Sequence, residues 1–294
     1  MWSRRHWLSC ALALAARSAY AADAPSLTVR ELAVPDAGKF GQRCLLLRPA
    51  RVPVSQPLPT VLLFHGLGET SSEALGIRAW YDRYGLPQAY ARLCAPPVQR
   101  TRLKERYLSD ARLAEINAEL AVTPFSDVAL VCPFTPNVFA KHPSGPFLDR
   151  YAEYVEHALL PAVRAASPSW EGPLHWGIDG VSLGGYVALE IFLRKARLFG
   201  AVGSTQGAFS VALAEVYARR IAEIVAEQGS RAVHLSTSSF DPYRDATLRL
   251  AERLAESGVR ATLTNGEGPH DQGFLREAGT LEMLLYQARA LHRA

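Results

Sequence analysis

A chain of 294 residues with 49% hydrophobic and 20% charged side chains can bury a large core, and one α/β domain of that size is ordinary. A formal net charge of +4, with no dense basic stripe, gives no footprint for a nucleic-acid partner. No internal repeat or low-complexity block interrupts the chain, and the spacing of its cysteines matches no metal site.

The first 21 residues read as a signal peptide and residues 22–294 as one domain. Met1 to Trp7 is a basic n-region, Leu8 to Ala16 a short apolar h-region, and Ala19-Tyr20-Ala21 a small-residue cleavage site. The pair Arg4-Arg5 also fits a twin-arginine export signal. The apolar stretch is too short to span a bilayer, so a periplasmic or secreted protein without stable membrane insertion is expected. Removing the leader takes away Arg4, Arg5 and Arg17 and lowers the net charge from +4 to +1. Cys44, Cys94 and Cys132 remain; an oxidising compartment permits a bridge, but buried small hydrophobes are the simpler reading.

Ser26 to Val34 and Gln42 to Leu47 read as two opening strands around the turn Pro35-Asp36-Ala37-Gly38. Thr60-Val61-Leu62-Leu63-Phe64 is a continuous apolar run, the pattern of a strand buried on both faces of a parallel sheet, and it ends in His65-Gly66-Leu67-Gly68. From Ser71 to Ser126 the chain carries helices near Leu86–Leu93 and Asp110–Leu120. Between them lies a basic run, Arg100, Arg102, Lys104 and Arg106, read as a solvated face. The aromatics Trp80, Tyr81, Tyr84, Tyr90 and Tyr107 either pack in the core or roof a pocket. Val128 to Cys132 is the next buried strand and Leu148 to Ala166 a helix.

Leu174 to Ile178 then leads into Gly180-Val181-Ser182-Leu183-Gly184, a G-x-S-x-G pattern, followed by Leu183 to Leu193, apolar on nearly every face. That context is a sharp strand-to-helix turn that holds a serine in a strained conformation, with glycines where a side chain would collide. After it come a strand Ala201–Ser204, a helix Val211–Glu227, a strand Arg231–Ser236, a helix Ala246–Glu256 and a last strand Arg260–Thr264. Asn265 to Asp271 reads as a Gly/Pro-rich loop and a closing helix starts near Gln272. Strand and helix alternate throughout, which gives an α/β fold with a mostly parallel central sheet flanked by helices.

A serine hydroxyl needs a base, and an imidazole base needs a group to orient it. His270 lies in the loop before the closing helix; His65, His142, His157, His175, His234 and His292 are less well placed, and His65 reads as structural. Asp241 and Asp245 both follow the strand Arg231–Ser236. Asp241 is favoured because Pro242 disfavours a helical conformation there, whereas Asp245 has a sufficient reason at a helix start. Asp271 reads as a helix cap and Asp179 as a support of the turn.

The order of strand–HGLG, strand–GVSLGG, strand–Asp and loop–His resembles the α/β-hydrolase superfamily, and within it secreted serine esterases of the esterase D and feruloyl-esterase type. That resemblance implies a carboxylic-ester hydrolase with Ser182 as nucleophile, His270 as base and Asp241 as its acid, Asp245 being the alternative. It also implies an oxyanion hole made by the backbone N–H groups of Leu67 and Leu183, and a small-molecule ester as substrate. No metal and no cofactor is expected, since Gly66-x-Gly68 lacks the third glycine of a dinucleotide fingerprint. A peptidase, thioesterase or lipase on the same fold is the alternative, as is a binding domain without catalysis.

Overall fold

A computed structural model describes residues 26–35, 37–102, 104–142 and 144–292, so the leader lies outside the described residues. Eight strands form one sheet: β1 (Leu27–Ala33), β2 (Arg43–Pro49), β3 (Thr60–Phe64), β4 (Ala129–Pro133), β5 (Trp176–Gly180), β6 (Ala201–Thr205), β7 (Ala232–Phe240) and β8 (Ala261–Pro269). Their spatial order is β1-β2-β4-β3-β5-β6-β7-β8. The β1–β2 and β2–β4 pairs are antiparallel and the rest parallel.

The helices are α1 (Glu73–Asp82), α2 (Leu86–Cys94), α3 (Asp110–Val122), α4 (Ser144–Tyr154), α5 (Leu160–Ala166), α6 (Leu183–Lys195), α7 (Val211–Gln228), α8 (Arg244–Glu256) and α9 (Thr280–His292). They cover both faces of the sheet, which is why the central strands carry no alternation. Leu62 and Phe64 enter one core with α4 to α8, and Val61 and Leu63 enter the other with α1, α2, α3 and α9. Serines set several helix starts: Ser72, Ser109 and Ser210 accept the N–H groups of Leu75, Arg112 and Leu213.

Four departures from the sequence reading follow from longer-range contacts. Helix α1 is absent from the pattern-based reading; its buried face is only Gly76, Ile77, Ala79 and Trp80. The expected helix Leu148–Ala166 starts earlier and continues through a π-turn at Val155–Leu159, next to Pro161, which has no N–H to give to the preceding turn. Strand β5 begins at Trp176, after a 3₁₀ turn over Pro173–His175.

The fourth bears on the site. Residues expected as a loop, Asn265 to Pro269, are the second half of β8, and β7 likewise runs on to Phe240. Each supplies the other's backbone partners: Thr237 lies against Asn265, Ser238 against Gly266 and Phe240 against Pro269, with a bulge between Ser238 and Phe240. Gly268 takes the positive φ of +137° at that irregularity, where a side chain would be strained.

Candidate active site

The strand ends of β3, β5, β6, β7 and β8 meet at one edge, where open α/β sheets place their sites. Ser182 leaves β5 with φ +56° and ψ −118°, and the next residue begins α6. A non-glycine residue in that region costs about 1–3 kcal/mol and persists only where its surroundings fix it. Here they do: Ser182 N–H donates to Thr205 O at 3.0 Å, and Ser182 O accepts from Ala208 N–H at 2.9 Å and Tyr186 N–H at 3.1 Å. The glycines of the pattern are needed for space. A Cβ on Gly180 would collide with the Gly184 carbonyl, and one on Gly184 with the Phe64 carbonyl.

The structure brings together the three residues singled out from the sequence. His270 Nε2 lies 2.9 Å from Ser182 Oγ, and His270 Nδ1 lies 2.8 Å from Asp241 Oδ1. An ionised carboxylate only accepts, so Nδ1 carries the ring proton and the neutral ring presents Nε2 as an acceptor toward the serine hydroxyl. Asp241 is 6% exposed; its Oδ2 accepts from Thr237 Oγ1 at 2.7 Å and its Oδ1 also from Tyr243 N–H at 3.1 Å. Asp245 is exposed in the first turn of α8, away from these contacts. Tyr243, the residue before α8, packs its ring edge-on to His270 at 5.6 Å.

On the opposite side, the 3₁₀ turn Leu67–Glu69 follows β3, and a Cβ on Gly66 would come within 3.8 Å of the Ser182 Cβ. Among the described residues neither Leu67 N–H nor Leu183 N–H has an intramolecular acceptor, which leaves both donors available beside Ser182. The turn is held from behind. Tyr84 Oη accepts Gly66 N–H at 3.1 Å and donates to the Glu69 carboxylate, which is 4% exposed and also meets Arg83.

His65 is fully buried and structural, as expected: Nδ1–H donates to Gly66 O at 2.9 Å and Nε2 accepts Thr135 N–H at 2.9 Å. Burial pushes its pKa down to about 4, which keeps it neutral in this role. Asp179 supports the elbow, accepting Gly180 N–H at 2.8 Å and Gln287 Nε2 at 2.9 Å. Asp271 caps the segment after β8 by accepting Phe274 N–H at 2.8 Å.

A shallow cleft of about 220 Å³ opens over Ser182, bounded by Leu67, Glu69, Tyr84, Gln206, His270 and Leu275. A larger hollow of about 1170 Å³, beside His234, Thr262 and Tyr286, contains none of these groups. The aromatics of the Ser71–Tyr107 segment do not roof the cleft. Trp80, Tyr84 and Tyr90 are core residues, Tyr107 packs on Phe274, and of the five only Tyr84 reaches the cleft wall. Cys44 and Cys132 are buried, Cys94 is half-buried, and all three are free thiols.

Gln206 and Glu69 escape pattern reading altogether, and Tyr84 stands out in the sequence only as one of five aromatics. Gln206 follows β6 with φ +48°, the one positive-φ residue besides Ser182 that is not glycine among the described residues. A glutamine after a short strand carries no motif, and only the neighbouring strand ends reveal what it touches.

Comparison with known proteins gives the family and the fold. Residues 127–283, more than half of the chain, match the family model described as "Putative esterase". The chain belongs to this esterase family. It is a carboxylic-ester hydrolase of α/β-hydrolase fold. No curated protein matches its sequence. Among solved structures, a ferulic acid esterase is 15% identical, with 91% of this chain and 100% of that one covered at a TM-score of 0.63. An S-formylglutathione hydrolase from Staphylococcus aureus is 16% identical over 90% and 96% of the two chains at 0.57. A ferulic acid esterase from Anaeromyces mucronatus is 14% identical over 89% and 90% at 0.56. At such identities the likeness is one of fold.

Proposed function

We propose that this esterase works through an acyl-enzyme on Ser182. The observation that carries the reading is the unbroken chain Ser182 Oγ, His270 Nε2, His270 Nδ1, Asp241 Oδ1, with spacings of 2.9 and 2.8 Å. His270 takes the Ser182 proton as Oγ attacks the ester carbonyl, and the negative charge grows on the carbonyl oxygen between the Leu67 and Leu183 N–H groups. His270 then returns the proton to the departing alkoxide. The alcohol leaves, water enters and gives its proton to His270 as its oxygen attacks the acyl carbonyl, and His270 passes that proton to Ser182 Oγ as the acid leaves, which restores the starting form. Preorganised oxyanion donors of this kind are worth about 3–4 kcal/mol each.

A fluorophosphonate probe is expected to label the purified protein once, at Ser182, and Ser182→Ala to lose both labelling and ester turnover. Labelling of the alanine variant, or active protein whose label sits elsewhere, would refute the assignment. The small cleft favours short or aryl acyl groups over lipid chains, since it falls below the roughly 300–1,000 Å³ of pockets that take drug-sized ligands. The named substrates of the structural neighbours, ferulic esters and a thioester, belong in the same assay. Faster hydrolysis of palmitoyl than of butyryl or feruloyl esters would remove this preference.

Export to the periplasm or beyond, by a leader ending at Ala21, completes the proposal. It is supported by the order of basic, apolar and small residues in that leader. No described helix is long and apolar enough to cross a membrane. The mass of the protein recovered from the periplasm of an expressing cell tests it: an unprocessed N-terminus there would count against the cleavage site.

A further inference from the structure

We propose that Gln206 is a positioning residue that sets His270 and Asp241 against Ser182, an inference that rests on the roles proposed for those three. Gln206 is fully buried, and its backbone is clamped to the nucleophile and to β7 at once. Its neighbours Thr205 and Ala208 hold Ser182 through Thr205 O and Ala208 N–H, and its own N–H donates to Ser236 O at 2.6 Å. From that anchored position its carboxamide Nε2 donates to Pro269 O at 3.1 Å and to Ser238 Oγ at 2.7 Å.

Those two partners are the points from which the base and the acid hang. Pro269 is the residue before His270, and Ser238 O accepts the N–H of Asp241 at 3.1 Å. The β7–β8 ladder loses its regular register between Ser238 and Phe240, so backbone pairing alone does not fix the end of β8 there. The Gln206 amide spans that gap. Its orientation is determined, because the Pro269 carbonyl can only accept and so must face the NH₂ group. The other end of the amide, Oε1, is then buried with no partner among the described residues. A left-handed backbone at a residue that is not glycine is tolerated where its surroundings hold a group for function, and here that backbone aims one amide at both Pro269 O and Ser238 Oγ.

The experiment compares Gln206→Leu, Gln206→Asn and Gln206→Glu with the parent, scoring kcat per fluorophosphonate-titrated site, KM, melting temperature and the pH profile of kcat/KM. The leucine cannot donate, the asparagine cannot reach, and the glutamate sets a carboxylate against Pro269 O and close to His270. We expect kcat to fall 10–100-fold in all three with KM within threefold. In Gln206→Glu the acidic limb of the profile should also move to higher pH, since a nearby negative charge favours the imidazolium. Parent-like kcat and an unmoved limb, whatever the melting temperatures, would overturn the inference. So would failure of all three variants to fold, which would make Gln206 a folding residue. Ser182→Ala in parallel separates the two levels: if it still turns over ester, the nucleophile is wrong, whereas a dead Ser182→Ala beside parental Gln206 variants sinks the Gln206 role alone.

Discussion

Asp241→Asn removes a charge while leaving its shape in place, and the surrounding contacts say what should follow. Tyr243 N–H donates to Oδ1 and therefore selects the amide oxygen for that position, while the NH₂ faces Thr237, whose hydroxyl can turn to accept. The fold should stand, with at most about 1 kcal/mol lost from weaker hydrogen bonds. What disappears is the attraction between the carboxylate and the imidazolium formed during attack. Unit charges about 4 Å apart at an effective dielectric near 20 attract by about 4 kcal/mol, and each ~1.36 kcal/mol is tenfold in rate. The expected fall in kcat is thus about 10³, rising to about 10⁴ if the amide turns and the ring is held in the wrong tautomer. Steady-state hydrolysis of p-nitrophenyl acetate, normalised to folded protein by circular dichroism, measures it. A loss under tenfold would refute the reasoning, as would a 10³ loss in Asp245→Asn, where the exposed carboxylate should matter less than tenfold.

Three further outcomes are expected. Gly184→Ala should cost roughly 1–3 kcal/mol or more, because its Cβ meets the Phe64 backbone and not a movable side chain, and Ser182 labelling should drop with it; parental melting and labelling would contradict this. His65 is held neutral with a pKa near 4 against an unfolded value near 6.5, so the unfolded chain takes the proton first. Its contribution, about 3 kcal/mol, is complete above pH 6.5 and lost as pH falls toward 4. Urea unfolding of the parent and of His65→Gln should therefore diverge in pH dependence by that amount, and parallel curves would exclude it. Burial pushes the Cys44 thiol up to about 12 and the Cys132 thiol well above its usual range, so neither should react with Ellman's reagent until the protein is denatured; prompt native reaction of either would contradict their burial.

The chain's own pattern determined the features that depend on near neighbours. The uninterrupted apolar run of β3, the glycines around Ser182 and the all-apolar face of α6 each state a backbone requirement within a few residues: burial on both faces, space for a tight turn, enclosure of a helix. Those requirements fix a doubly covered parallel sheet and a strained serine turn between strand and helix before any contact is known. The preference for Asp241 over Asp245 as the partner of His270 rests on the same kind of local requirement, since Pro242 limits the conformation of the residue before it and the exposed Asp245 has its reason at the start of α8.

Tertiary structure alone decided what depends on partners distant in sequence. Asn265 to Pro269 reads locally as a loop of glycine and proline, yet it is strand because β7 supplies the opposing backbone groups. The rings of Trp80 and Tyr90 carry no mark that distinguishes a core side chain from a pocket lining, and only the packing of α1 and α2 on the sheet sends them inward. Gln206 is the extreme case. Its partners, Ser238 and Pro269, are 32 and 63 residues away and meet it only when three strand ends close on one another, so no local pattern could name it.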